Sequence, residues 1–199
     1  MRRDGITMAA RKVLAAAQRR RSPPDAFDET FGVDTSTEVP LWKLCISSRH
    51  VNAGSNYQTI GAEHIERLLL MLPCRLPLID LGCGKGRVLI IAHRLGFRPV
   101  TGVEFSPDLV AIARRNLQIC GIPGQVLCQD AADVDFQKDC VIFMYNPFDS
   151  AVMTHVAQKI RESAAHIYVV YVNAKCDHLF HGFHSIHKEP GTVILANHC

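Results

Sequence analysis

Residues 79–92 read IDLGCGKGRVLIIA and place three glycines, Gly82, Gly84 and Gly86, between an apolar run and an amphipathic run. Glycine at the start of a helix costs conformational entropy, so this much bare backbone indicates that a ligand approaches the main chain there. The dinucleotide-binding pattern G-x-G-x-x-G needs glycine at position 87, where Arg87 stands, and the phosphate-binding pattern G-x-x-x-x-G-K-[ST] is absent. The turn therefore lacks the full pyrophosphate pattern.

Short apolar runs alternate with amphipathic helical patterns around this turn. The apolar runs predict strands, which are expected over 76–82, 99–105, 125–130, 140–148 and 164–173. The periodic segments predict helices, which are expected over 60–72, 88–95, 106–120 and 150–163. Residues 183–197 read as a terminal hairpin that turns at Glu189-Pro190-Gly191. Wholly apolar strands between helices are typical of a doubly wound α/β fold, with a parallel sheet covered on both faces.

Charge and composition divide the chain into three parts. Residues 1–24 hold seven Arg or Lys and one Asp, a charge of +6, and are predicted to be a basic and flexible N-terminal arm. Because the whole chain carries +3, the other 175 residues carry −3, which does not favour a nucleic-acid enzyme. Residues 25–59 are predicted as a lid or docking segment, with Phe27 and Phe31 on a short helical turn. Residues 60–199 form the main domain.

Composition also bears on the compartment. The eight cysteines include no Cys-x-x-Cys pair, and several stand in apolar runs, so we interpret them as small buried residues in a reducing compartment. The chain shows no signal-peptide core and no apolar run long enough to cross a bilayer. A cytoplasmic protein without a membrane partner is predicted. Organellar targeting by the Arg- and Ala-rich arm is the alternative.

Three carboxylates follow three successive predicted strands. Asp80 and Glu104 end the first two strands, and Asp130 ends the third. An anion at Asp80 repels phosphate and suits a cationic ligand, whereas Glu104 is placed to accept hydrogen bonds from both hydroxyls of a ribose. Asp130 is placed to accept a hydrogen bond from the exocyclic amine of a purine. A ribose, a purine and a positive charge without phosphate describe S-adenosylmethionine.

These motifs resemble, in order and spacing, those of the class I S-adenosylmethionine-dependent methyltransferases. LIDLGCGKGRV, GVEFSPD, QDAAD and YNPF resemble the family's first motif, ribose motif, adenine motif and fourth motif, within residues 56–199. The resemblance implies a Rossmann-like, three-layer α/β/α domain with seven strands, mostly parallel, and an antiparallel last strand. It also implies that the methionine moiety, the ribose and the adenine of the cofactor contact the glycine turn and the strand ends. The contact residues that it implies are Asp80, Gly82, Cys83, Gly84, Gly86, Glu104, Phe105, Asp130, Ala131 and Asn146.

The fourth motif bears on the methyl acceptor. Asn146, Pro147 and Phe148 resemble the acceptor motif of amine N-methyltransferases, in which the Asn oxygen and the next carbonyl accept from an NH₂ and aim its lone pair at the methyl. The pattern of that family is Asn or Asp, then Pro, Pro and an aromatic residue, and the second proline is missing here. If Phe148 is aligned with the aromatic residue of the pattern, Tyr145 takes the place of the Asn. The motif also resembles Asn-Asn-Phe of the non-SET, Dot1-type lysine methyltransferases. A strand-to-helix turn capped by Asn146 is the structural alternative.

Three functions remain open from the sequence. The first is N-methylation of a protein lysine or related amine, with Asn146, Pro147 and Phe148 at the acceptor and Tyr57 as a lid residue. The second is an RNA methyltransferase tethered by the basic arm, and the third is a non-catalytic module that binds the cofactor or a partner. No metal site is predicted, because Gly182 breaks a helix among the four histidines between 178 and 187 and residues 184 and 187 of a strand face opposite ways.

Overall fold

The computed structural model describes residues 25–37, 39, 59–145, 148 and 150–198. The basic arm of residues 1–24 and most of the lid segment lie outside the described residues. Within them, the strands form one seven-stranded sheet in the order β3-β2-β1-β4-β5-β7-β6. The strands are β1 Leu78–Leu81, β2 Val100–Glu104, β3 Gln125–Cys128, β4 Cys140–Tyr145, β5 Ile167–Val172, β6 His184–Glu189 and β7 Thr192–Ala196.

Helices connect these strands as the periodicity predicts. The α-helices are α1 Ala26–Phe31, α2 Ala62–Leu70, α3 Arg87–Arg94, α4 Pro107–Ile119 and α5 Ser150–Glu162, and two 3₁₀ helices span Ala131–Asp133 and Asp177–Phe180. Helix α4 begins as expected, because the Ser106 hydroxyl accepts a hydrogen bond from the Leu109 N–H at 3.4 Å and Pro107 takes the first helical position. Gly121, in the left-handed region, follows its end.

The sheet is parallel from β3 through β5, and β7 runs antiparallel between β5 and β6. Both the predicted terminal hairpin and the antiparallel last strand are therefore confirmed. The chain order reverses direction across the sheet at β1, which lies between β2 and β4. In doubly wound sheets this switch point opens a crevice at the carboxyl ends of the strands, where ligands bind.

Two hydrophobic cores cover the two faces of the sheet. The first contains the buried sides of α2, α3 and α4, including Leu68, Leu89 and Leu117. The second contains the buried side of α5, including Val156 and Ile160. The layers confirm a three-layer α/β/α fold.

The cysteines are less uniformly buried than the sequence predicts. Cys83, Cys140 and Cys176 are buried, but Cys128 is exposed. The prediction is wrong for Cys128 because β3 is an edge strand, and Val126 is the one residue of its four that is buried.

Helix α1 docks on the domain through the two aromatic residues that the sequence singled out. The rings of Phe27 and Phe31 lie 4.7 Å apart and pack against the first core. The guanidinium of Arg87 lies 5.0 Å from the centre of the Phe27 ring, and that of Arg94 lies 4.7 Å from the Phe31 ring. These stacked pairs add cation–π attraction to the buried apolar area.

A buried carboxylate, Asp28, organises the chain that follows α1. Its oxygens accept hydrogen bonds from the backbone N–H and hydroxyl groups of Thr35 and Ser36, and Arg87 lies 3.4 Å away. Burial by itself raises the pKa of Asp28, but the hydrogen bonds from Ser36 and Thr35 outweigh burial and lower it. A carboxyl whose pKa is lowered by folding stabilises the fold above its unfolded pKa, and this stabilisation is lost as the pH falls through the folded value.

We therefore expect Asp28→Asn to lower the free energy of unfolding by about 2 kcal/mol at pH 7, because an amide NH₂ then faces other donors. The difference in Tm between wild type and variant should shrink as the pH falls below about 4, the ordinary pKa of an aspartate, and then through the lower folded pKa of Asp28. Thermal unfolding between pH 3 and pH 8 measures both.

The matched control is Asp135→Asn, which removes an exposed carboxylate that pairs with Lys159 at 3.2 Å. We expect almost no change in Tm for this variant. Equal losses for the two variants, or a difference that does not depend on pH, would contradict the role given to Asp28.

Candidate cofactor site

The glycine turn after β1 is built on backbone conformations that favour glycine. Gly82, Gly84 and Gly86 have φ of 78°, 51° and 86°, all in the left-handed region. The N–H groups of Gly82 and Cys83 both donate to the Val103 carbonyl, at 2.8 and 3.0 Å, and this fixes the turn against β2. Three glycines in five residues thus let the chain leave β1, fold back over β2 and enter α3.

A fourth glycine, Gly102 on β2, also shapes the turn, and the sequence analysis missed it. A Cβ at Gly102 would lie 2.6 Å from the Cys83 sulfur and 2.8 Å from a methyl carbon of Leu89. Any side chain there would push the turn and α3 off the sheet. The signal was available, since a lone glycine inside a strand often marks the close approach of other backbone.

Two of the predicted cofactor residues are buried carboxylates that lie side by side. Asp80, on β1, is 3% exposed and Glu104, at the end of β2, is 4% exposed. The Glu104 carboxylate accepts hydrogen bonds from the backbone N–H groups of Gly84 at 3.0 Å and Ser106 at 2.9 Å. It thereby joins the glycine turn to the start of α4.

Burial raises the pKa of both carboxyl groups. The pKa of Asp80 is raised well above its usual value, first by burial and then by the negative charge of Glu104. The pKa of Glu104 is raised by burial, against the lowering effect of its backbone hydrogen bonds. Since the folded pKa lies above the unfolded one, the unliganded fold loses stability as the pH rises through that interval.

A positive charge from a ligand would relieve this repulsion. Among the described residues no basic side chain forms a salt bridge with Asp80 or Glu104. The two basic side chains of the turn pair with other carboxylates, Lys85 with Asp34 and Arg87 with Asp25. Two buried acids beside bare backbone fit a ligand that is cationic and rich in hydroxyl donors, which is the chemistry of S-adenosylmethionine.

The third acidic position lies at the same edge of the sheet. One oxygen of Asp130 accepts a hydrogen bond from the Ala132 N–H at 3.0 Å and caps the short 3₁₀ helix after β3. Ala131 is buried beneath it, and Phe105, directly after β2, is half-buried. Glu104, Phe105 and Asp130 therefore line neighbouring strand ends, and their contacts with a cofactor stay predictions.

The acceptor residues are only partly described. Tyr145 ends β4, is half-buried and packs against the first core, whereas Phe148 packs against the second. Asn146, Pro147 and Tyr57 lie outside the described residues, so their roles stay predictions.

In the described part of the chain, no group of three or more His, Cys, Asp or Glu side chains could hold a metal ion. None of the helices there is both long enough and apolar enough to span a membrane.

Comparison with known proteins agrees with this site. A family model described as "Methyltransferase domain" matches residues 78–174. The adenine nucleotide translocase lysine N-methyltransferase of Mus musculus is 37% identical over 71 residues, which are 35% of this chain and 31% of that protein. The ribosomal protein L11 methyltransferase of Geobacter metallireducens is 33% identical over 64 residues, 32% of this chain and 21% of that protein.

A solved structure shares the fold. The tRNA (uracil-54, C5)-methyltransferase of Pyrococcus abyssi, crystallised with S-adenosyl-L-homocysteine, superposes with a TM-score of 0.53 at 16% identity, over 74% of this chain and 40% of that one. Identity this low shows the fold alone, and the chain spans less than a third of the length of the two curated relatives. Residues 78–174, which hold the glycine turn and strands β1 to β5, match the methyltransferase domain model, and the sheet order agrees with that match.

Proposed function

We propose that this chain transfers a methyl group from S-adenosylmethionine to the nitrogen of a protein lysine or a related amine. The observation that carries the cofactor part is the pair of buried acids, Asp80 and Glu104, beside the glycine turn. Asp80, Gly82 and Gly84 hold the methionine moiety, and Glu104 accepts hydrogen bonds from the ribose. Phe105, Asp130 and Ala131 contact the adenine.

Two relatives support an acceptor on a protein. One is named as a lysine N-methyltransferase and the other as a methyltransferase of a ribosomal protein. The matches cover 31% and 21% of those two proteins, so a protein acceptor for this chain is part of the proposal.

Methyl transfer requires mainly that the protein align the acceptor nitrogen with the methyl group of the cofactor. The cofactor supplies an electrophilic methyl group on a sulfonium, which becomes a neutral thioether when the methyl leaves. Asn146 and Pro147 hold the amine so that its lone pair points at that methyl, Phe148 lines the acceptor, and Tyr57 closes the site. The ammonium proton passes to solvent or to a neighbouring group before transfer.

The buried acids give the first prediction. Because Asn at position 80 carries no charge, Asp80→Asn removes the repulsion with Glu104, and we expect the Tm of the unliganded protein to stay level or rise. The same change removes a partner of the cationic cofactor, so affinity for S-adenosylmethionine should fall about tenfold, or ~1.4 kcal/mol. Calorimetric titration and thermal unfolding measure both effects.

The control is Asp135→Asn, which removes an exposed carboxylate paired with Lys159 and should leave Tm and affinity unchanged. Binding by Asp80→Asn as tight as that of wild type would contradict the role of Asp80. A large fall in the Tm of the unliganded variant would show that Asp80 stabilises the fold.

A second prediction concerns the acceptor. The purified protein, incubated with a cell lysate and a cofactor labelled in its methyl group, should label material that protease digests and ribonuclease does not. Acid hydrolysis of that material should release methylated lysine. Asn146→Ala should lower turnover more than it raises the Kd of the cofactor, since alignment of the acceptor is worth about 100-fold.

The alternatives give different results in the same experiment. Label that ribonuclease removes, that requires residues 1–24 and that falls steeply with salt would identify an RNA acceptor tethered by the basic arm. Tight cofactor binding without any labelled product would indicate a non-catalytic module.

A further inference from the structure

Lys85, within the glycine turn, pairs with the segment that follows α1. Its side chain is fully buried, and its ammonium group lies 2.9 Å from both carboxylate oxygens of Asp34. A buried ammonium is costly unless it is paired, so this contact ties the turn to that segment.

Asn116, on α4, joins the same two segments through their backbones. Its side-chain NH₂ donates to the Lys85 carbonyl at 2.9 Å and to the Asp34 carbonyl at 3.0 Å, and its oxygen accepts from the Asp34 N–H at 3.3 Å. Asn116 is 2% exposed, so these bonds replace water and fix the distance between the segments.

Arg87 forms a second tie on the other side of Gly86. Its Nε donates to the Thr35 hydroxyl at 2.7 Å, and its guanidinium lies 2.6 Å from an Asp25 oxygen and 3.4 Å from an Asp28 oxygen. The arginine that replaces the third glycine of the dinucleotide pattern is therefore buried in an ion-pair network. One segment, residues 25–36, holds the turn at both position 85 and position 87.

The contacts of Lys85 are linked to the predicted cofactor residue Glu104 through the peptide bond between Gly84 and Lys85. Gly84, whose N–H donates to Glu104 at 3.0 Å, immediately precedes Lys85. A shift of the Lys85 carbonyl would therefore move the N–H that orients the ribose-binding carboxylate. Displacements of about 1 Å at a positioning contact are enough to weaken a site strongly.

We infer that residues 25–36 are a structural part of the cofactor site, and that Asn116, with Lys85 and Asp34, is a positioning residue that holds the glycine turn for binding. The inference rests on the proposed function for its cofactor, but the rigidity of the turn can be measured without any ligand. Residues 25–36 would then contribute to the cofactor site although they lie outside residues 78–174, the part matched by the methyltransferase family model.

The test compares two matched asparagines. Asn197, after β7, also accepts one backbone hydrogen bond, from Ile167 at 2.8 Å, and donates two, to Ala165 at 3.0 Å and Ile160 at 3.3 Å. It lies beside the start of β5, whereas the glycine turn follows the end of β1. Asn116→Ala and Asn197→Ala therefore delete the same chemistry and should lower the Tm by similar amounts.

We expect Asn116→Ala to raise the Kd for S-adenosylhomocysteine at least tenfold and Asn197→Ala to change it less than twofold. In the unliganded proteins, hydrogen–deuterium exchange over residues 82–90 should accelerate in Asn116→Ala and stay at the wild-type rate in Asn197→Ala. Asp34→Asn, which keeps the backbone bonds but removes the carboxylate that pairs with the buried Lys85 ammonium, should also raise the Kd.

Equal losses of affinity in the two asparagine variants would overturn the inference, because a general loss of stability would then explain both. Unchanged exchange at the turn in Asn116→Ala would overturn it too. Wild-type protein that binds no S-adenosylhomocysteine would contradict the proposed function, and exchange at the turn would still decide whether Asn116 holds it.

Discussion

Burial of two neighbouring carboxylates, Asp80 and Glu104, is the constraint on which the rest of the site depends. Each loses the stabilisation that water gives a charge, and each raises the cost of ionising the other. A fold keeps such a pair only if something else offsets its cost. Two backbone N–H groups that bind Glu104 offset part of that cost. We propose that a cationic ligand offsets the remainder.

The scaffold around the two acids is arranged to hold bare backbone in place. The turn can lie close to β2 because Gly102 has no side chain, and the N–H groups of Gly82 and Cys83 then reach the Val103 carbonyl. Polar contacts from α4 and from the segment after α1 hold the outer side of the turn, through Asn116 and the pair formed by Lys85 and Asp34. The basic residues of the turn, Lys85 and Arg87, pair with Asp34 and Asp25, which both belong to residues 25–36.

Local patterns in the sequence were sufficient to predict most of this fold. Ser106 and Pro107 marked the start of α4, the alternation of apolar strands and amphipathic helices indicated a parallel sheet, and the turn at Pro190 marked the hairpin. The acids at positions 80 and 104 were identified because strand ends meet at one edge of a parallel sheet. That inference needs only strand order, which the motif spacing supplies.

Contacts between distant parts of the chain could not be predicted in the same way. Asn116 has no local signal, because its partners are 31 and 82 positions away. Arg87 stands where the dinucleotide-binding pattern needs glycine, and no role was predicted for Lys85. Their structural roles depend on Asp28 and Asp34, which lie beside them only in the folded chain. The exposure of Cys128 likewise depends on which strand forms the sheet edge. Pairings of this kind are set by tertiary packing, and periodicity carries no information about them.

Calorimetric titration of wild type and Glu104→Ala with S-adenosylmethionine and S-adenosylhomocysteine would decide whether Glu104, buried beside Asp80, holds the cofactor. We expect micromolar binding of both ligands by the wild type and loss of that binding in the variant. Absence of binding by a folded wild-type protein, or equal affinity in the two proteins, would contradict this role of Glu104.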